Sequence, residues 1–519
     1  MRAFLASLVV LLAAVAPVAG QPSARTPFES TAAVSARNKV DEIVFTRLKH
    51  LGLQPARPCS DAVFLRRAFL DVIGTLPTAE EARAFLDDQS PNKRSALIDR
   101  LLERDEFADY WAMKWGDVLR VKSEFPVNLW PNAVQAYHHW VRTSLRNNLP
   151  YDRFVRELLT ASGSNFRVPQ VNFYRAVQGH QPRAIAASVA LVFMGSRLES
   201  WPAERQDAMA AFFSQIAYKY TGEWKEEIVF FDPEKGTRAS VLPDGTRVRL
   251  SPSEDPREAF ANWLVSPKNP WFARAAVNRV WFWLMGRGIV HEADDMRPDN
   301  PPANPELLAY LEREFQASRF DLKHLYRSIL NSTTYRLSSL PATSSAEAEA
   351  NFAQALVRPL DAEVLVDAVC QVTGTTEQYS SAIPEPYTYI PPDQHSIALA
   401  DGSIRSAFLE TFGRPPRDTG LLSERNSRPS ASQRLYLLNS SDIQRKLQQG
   451  PKLQALIQAK GDLSEMVTGI YLTILSRFPT EDEMKTATTY AQSAGGIRRL
   501  AAQDLAWALL NSAEFRFRH

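Results

Sequence analysis

Leu70-Asp71-Val72-Ile73-Gly74-Thr75-Leu76-Pro77-Thr78 returns near the far end of the chain as Leu472-Thr473-Ile474-Leu475-Ser476-Arg477-Phe478-Pro479-Thr480. Each copy is followed by a Leu-Leu-x-x-x-Glu-Phe run, Leu101 to Phe107 in the first and Leu509 to Phe515 in the second. Thr78 with Glu81, and Thr480 with Glu483, have the spacing of a capping box, in which hydroxyl and carboxylate each satisfy an orphan backbone donor at a helix start. Pro77 and Pro479 stop the helix before it. In the second copy that helix carries Val467, Ile470, Tyr471, Ile474 and Leu475 on one face, the period of a helix and not of a strand. Both ends of the chain are therefore predicted as helix, Pro-Thr turn, helix, helix, in a mainly α protein. Two copies are too few for a solenoid.

The 519 residues are 45% hydrophobic and 23% charged, a globular composition with length enough for more than one core. A net charge of +2 leaves no basic surplus to neutralise a phosphate backbone, so a dedicated nucleic-acid binder is excluded. Arg2 precedes an apolar run from Phe4 to Val18, and small residues lead up to Gly20. This is the pattern of a signal peptide over residues 1–20, cut after Gly20, and it is too short for a convincing membrane span. Export to the periplasm or cell exterior follows as the expectation, with no membrane span after cleavage. The two cysteines, Cys59 and Cys370, are allowed to pair in such a compartment, but two separate thiols is the preferred reading.

Successive helical patterns run from residue 36 to 200, with Trp111 and Trp115 one turn apart on one face. Ile228 to Phe231 and Arg247 to Leu250 then read as strands flanking the turn Pro243-Asp244-Gly245-Thr246. Helical patterns resume after Asp255-Pro256. The expected organisation is two helical domains, 36–215 and 256–519, joined by a small β-hairpin element within 216–255.

Several scattered motifs carry a family resemblance. Phe64-Leu65-Arg66-Arg67 with Leu70-Asp71, then Trp111, Trp115 and Asp117, then Pro150-Tyr151-Asp152-Arg153-Phe154, resemble domain of unknown function 1549. Asn278-Arg279-Val280-Trp281, Gly286-Arg287-Gly288, Tyr335-Arg336, Phe412-Gly413-Arg414-Pro415 and Leu437-Leu438-Asn439 resemble its usual companion, domain of unknown function 1553. The resemblance implies an exported protein of the kind found in planctomycetes and related bacteria, often beside a cytochrome c module. It also implies thiols that this chain lacks. Many relatives carry Cys-x-x-Cys-His-x-His where this chain runs from Gly195 to Trp201, and some carry Cys-x-Cys where it has Leu421-Leu422-Ser423 before Glu424-Arg425. Losing both segments together is expected if they serve one site, since thiolate and imidazole are the ligands that a metal or haem needs. Neither a cofactor nor a metal is therefore expected.

What remains is an arginine-rich stretch, Arg405, Arg414, Arg417, Arg425, Arg428 and Arg434, interleaved with Glu410, Asp418 and Glu424. Guanidinium forks match sulfate, carboxylate and phosphate oxygens, so this stretch suits an anionic glycan; alternatively the arginines hold loops through internal pairs, and that reading is preferred. Arg67 and Asp71, four apart on one helix, have the same ambiguity and are placed to pair with each other. The binding set carried forward is Arg66, Arg67, Asp71, Asp117, Arg279, Arg287, Arg414, Glu424 and Arg425. Asp294 with Asp295, or Glu424 with Asp361 and Glu363, offer carboxylates for a glycoside hydrolase, a weak signal because acidic residues are common. His138-His139 reads as packed or solvated, and no Gly-rich phosphate loop or Gly-x-Ser-x-Gly elbow occurs. The preferred function is a cofactor-free binding or assembly protein whose partner is an anionic polysaccharide or another exported protein. The alternatives are a hydrolase of anionic glycans with an Arg/Glu site between the domains, and a redox-associated relative that has lost its ligands.

Overall fold

A computed structural model describes residues 27–236, 239–426, 428–459, 461–493 and 498–519. The apolar run Phe4 to Val18 lies outside them. Both copies of the repeated segment form what their residues dictate. The Asp61–Val72 and Leu463–Leu475 helices each end at a left-handed residue, Gly74 (φ 66°) and Ser476 (φ 59°), and the Ala79–Asp87 and Glu481–Ser493 helices follow. Thr78 N donates to Glu81 Oε2 at 2.8 Å while Glu81 N donates to Thr78 Oγ1 at 3.1 Å; Thr480 and Glu483 repeat this at 2.8 and 3.2 Å. In each copy one arginine then clamps the capping-box glutamate to the glutamate of the later Glu-Phe pair. Arg104 holds Glu81 and Glu106 at 2.8 and 2.6 Å, and Arg477 holds Glu483 and Glu514 at 2.6 and 2.7 Å.

The two copies dock on each other. Arg66 in the first donates to Ile474 O (2.8 Å) and Phe515 O (2.9 Å) in the second, using carbonyls that helix ends leave without partners. Arg518 reaches back to Leu70 O at 3.4 Å. Between these units the Asp105–Val118 helix lies beside the Pro131–Arg146 helix and across from the Phe272–Met285 helix. Trp111 and Trp115, both buried, flank the ring of Trp283 with centroids 5.5 and 5.3 Å away. One continuous apolar core runs from Val40 to Phe515. Trp281 is fully buried in it against Phe352, and His138 is buried and neutral because burial, with Arg417 nearby, pushes its imidazole down to about 3. Cys59 and Cys370 are both free thiols. No helix among the described residues is long and apolar enough to cross a membrane.

The protein is mainly α, as expected, but the hairpin is built differently. The Glu227–Phe231 strand pairs antiparallel with Ile216–Tyr220, Tyr218 opposite Val229, and on its other edge with Gly163–Ser164. Both edges of that strand are thus filled, and Arg247–Leu250 has nowhere to add; it contributes an isolated bridge, Arg247 to Val241, around the Pro243–Gly245 turn. The Asp-Gly turn was a true local signal, yet it closes only that bridge. Val229 is buried in the core, whereas Arg247 and Arg249 bring charge to alternate positions.

Ser476 sits in a conformation that suits glycine, and its buried hydroxyl has no partner among the described residues. Ser476→Gly is expected to stabilise the protein by about 0.5–1 kcal/mol. At Gly74 a Cβ would sit 2.5 Å from Tyr110 Cδ2, so Gly74→Ser should destabilise by roughly 2–3 kcal/mol. Urea unfolding midpoints of the two variants should move in opposite directions.

Candidate functional site

Four segments distant in sequence bring charge to one place. The Asp105–Val118 helix supplies Lys114 and Asp117, one turn apart on the face that also carries Tyr110. The start of the Ala362–Thr373 helix and the residues before it supply Arg358, Asp361 and Glu363. The two-residue strand Phe517–Arg518, paired antiparallel with Arg358–Pro359, supplies Arg518. Arg425 enters from the loop before the Ala431–Asn439 helix.

Asp361 is the common partner. Its Oδ2 accepts from Lys114 Nζ at 2.8 Å and Arg518 Nη2 at 3.0 Å, and its Oδ1 lies 3.5 Å from Arg425 Nη1. Although burial opposes it, Lys114, Arg518 and Arg425 together hold this carboxyl well below the usual range. Asp117 accepts from Arg417 Nε (2.9 Å) and Arg425 Nη2 (2.7 Å); Glu363 takes Arg425 Nη1 (2.7 Å) and approaches Arg414 at 3.5 Å. Asp71 meets Arg518 at 3.0 Å and Arg358 at 3.4 Å, and accepts from Tyr335 OH at 3.0 Å. Arg358 is fixed by donating to Trp283 O and Leu284 O at 2.9 and 2.8 Å, where the Phe272–Met285 helix leaves its last carbonyls free. Its stem occupies the space a Cβ on Gly286 would need.

The network is not sealed. A cavity of about 240 Å³ opens on it, lined by Lys114, Arg358, Arg425 and Arg518 against Asp117 and Asp361, with Tyr110 and half-buried Trp283 as aromatic walls. Four cations thus face two carboxylates. Burial, with Arg425 and Arg518 adding to it against the pull of Asp361, pushes the Lys114 ammonium down to about 8. A lysine so placed loses its charge close to neutral pH.

Of the sequence-derived set, Asp71, Asp117 and Arg425 meet at this network, with Arg414 behind them through Glu363. Arg67 and Asp71 do not pair: Arg67 donates instead to Tyr335 O (2.6 Å), Leu337 O (2.9 Å) and His519 O (2.9 Å), while Asp71 is taken by Arg518 and Arg358. Arg66 and Arg279 serve carbonyls, the latter Val192 O and Leu191 O near a helix end. Arg287 is half-buried away from the cavity and has no ion pair among the described residues. Glu424 accepts from the backbone of Asp418 (3.2 Å) and Thr419 (2.7 Å), and Arg414 donates to Ile404 O and Asp401 O. The arginine-rich stretch is therefore filled mainly from within. Lys114, Arg358 and Arg518 were missed. Tyr110, Lys114 and Asp117, at helical spacing among tryptophans, were the available signal for one wall; nothing local marks Arg358 or Arg518.

Residues 39–216 match the family described as protein of unknown function DUF1549 (PSCyt2), and residues 256–491 match protein of unknown function DUF1553 (PSD1). The chain belongs to the proteins that pair these two domains. No curated protein and no solved structure matches it. The stretches 195–200 and 421–423 both border a second cavity, lined by Arg197, Glu199 and Leu421, the last of which also lines the first. Among the described residues no group of three or more His, Cys, Asp or Glu is placed to hold a metal ion.

Asp361→Ala strands Lys114, Arg425 and Arg518 without their shared carboxylate. It is expected to cost about 3–5 kcal/mol of stability, read as a fall in the urea midpoint.

Proposed function

We propose that this paired-domain protein is a cofactor-free binding protein that seats one anionic group, such as the uronate or sulfate of an acidic glycan, in the cavity between Lys114 and Arg518. The observation that carries the reading is that four cations face the cavity against two carboxylates, while Asp71 and Glu363, which pair three of them, stand behind the lining. Arg425 and Arg518 offer planar donors, Lys114 a mobile point charge, and Trp283 and Tyr110 an apolar wall for the rest of the ligand. The volume suits a single charged group and not a long segment of polymer. The hydrolase alternative needs a carboxyl kept protonated as the acid; Asp361 is held ionised by its three cations, and Glu424 is engaged by two backbone amides.

The reading includes work outside the cytoplasm, supported by the signal-like run Phe4 to Val18. Protein recovered from the periplasm of an expressing bacterium is expected to begin at Gln21 on N-terminal sequencing; material that retains Met1 would contradict export by cleavage.

Titration with glucuronate and with a sulfated monosaccharide should show saturable binding that weakens as pH rises through about 8. Lys114 is cationic below that value and neutral above it, so attraction for an anion is present at pH 6.5–7 and lost towards pH 9. Lys114→Met should lower affinity roughly tenfold or more at pH 7 and abolish the pH dependence. Equal affinities at pH 7 and 9, unchanged in the variant, would remove the cavity from consideration.

A further inference from the structure

The second cavity, of about 520 Å³, is lined by Arg120, Ser188, Arg197, Glu199, Asp418 and Thr419. At its buried end is an arginine unlike the others around it. Arg66 and Arg279 are also buried, but each gives hydrogen bonds to two backbone carbonyls. Arg120 is 8% exposed and its side chain makes a single hydrogen bond, from Nη2 to the hydroxyl of Ser188 at 2.7 Å. Like Arg66 and Arg279 it has a buried Nε without an acceptor and no ion pair among the described residues, but unlike them it reaches no backbone carbonyl. Burial pushes the guanidinium down to about 10, against the attraction of Tyr137 and, more weakly, of Glu424, neither of which bonds to it. The backbone adds a second anomaly, for Arg120 lies at φ 58°, the left-handed region where a helix end ordinarily places glycine. A loop closes over the stem, since a Cβ on Gly420 would lie 2.7 Å from Val118 O and 3.5 Å from Arg120 Cγ.

A buried cation without a direct ion pair is costly for a fold to contain, and here it is combined with a left-handed backbone. The other charges of the cavity are already engaged or stand at the rim. Arg197 pairs with Glu292 at 2.9 Å, Asp418 with Lys122 at 2.6 Å, and Glu199 is exposed. Ser188 accepts from Arg120 and so has its own hydroxyl hydrogen to donate, and Thr419 adds a second hydroxyl.

We propose that Arg120, with the hydroxyls of Ser188 and Thr419, is a second oxyanion site, distinct from the cavity at Lys114, that takes a carboxylate, sulfate or phosphate group. The ligand would supply the counter-charge the chain does not, and the guanidinium fork would give it paired donors. The site is independent of the proposed function above, because its cation and its hydroxyls belong to other residues.

The test uses the full-length protein in low-salt buffer, titrated separately with acetate, sulfate and inorganic phosphate by calorimetry, alongside Arg120→Met, Ser188→Ala and Lys114→Met. Wild type should bind at least one of the three saturably. Arg120→Met should lose that binding by roughly tenfold or more and, having shed an unpaired charge, should melt no earlier than wild type without anion. Wild type should therefore show two binding events, of which Lys114→Met loses the one at the first cavity and keeps this one, while Arg120→Met does the reverse; loss of both events in either variant would overturn the assignment of a separate site. Ser188→Ala, a milder change that serves if Arg120→Met does not fold, should weaken binding severalfold. Absence of saturable binding in wild type, or equal affinity in both the Arg120 and Ser188 variants, would overturn the assignment; so would an Arg120→Met protein that folds but melts well below wild type, since that is the mark of a structural arginine.

Discussion

Asp361 is the hinge on which the arrangement turns. A single buried carboxylate accepts from a lysine on the Asp105–Val118 helix and an arginine on the closing strand, and lies beside another arginine in a loop. Each of those cations would be expensive to bury alone; together with Asp71, Asp117 and Glu363 they form a network in which almost every charge has an opposite neighbour. Such a network adds little net stability compared with an apolar core of the same shape. What it supplies is specificity, because only one relative placement of the four segments satisfies all of it. The region matched to the first domain and the region matched to the second are held in register by chemistry that neither contains by itself.

The same network explains why there is a cavity at that place. Arg358 is committed to the end of the Phe272–Met285 helix, Arg417 to Asp117 and three carbonyls, and Trp283 to the tryptophans on either side. None of these groups can relax inward to fill the space between them. A rigid aromatic wall and a set of tethered charges leave a gap whose lining is cationic, and close packing elsewhere prevents its collapse.

Sequence reasoning succeeded where the physics is local. Capping boxes, the apolar stripe of the Leu463–Leu475 helix and the Trp111 and Trp115 face all depend on residues within a turn or two of one another, and all formed. It failed where partners are remote. Lys114 and Asp361 are 247 residues apart, Asp117 and Arg417 are 300 apart, and no spacing rule reaches so far. Arg67 and Asp71 show the competition directly: the four-residue spacing permits their pairing, but carbonyls near Tyr335 and His519 and the guanidinium of Arg518 offer each a better partner. The strand at Arg247–Leu250 failed for a topological reason, since the third strand comes from Gly163–Ser164, a segment whose two residues carry no strand signal at all.

The docking of the two repeated units has a consequence for how the chain comes into being. Arg66 finds its acceptors 408 and 449 residues downstream, and Arg67 one of its own 452 residues downstream. Loop closure over such spans is slow relative to local helix formation. While a ribosome is still working through the middle of the message, the first unit holds guanidinium groups with no acceptors and an apolar face with nothing against it. Its packing is thus completed only once the last segment has been made and can dock.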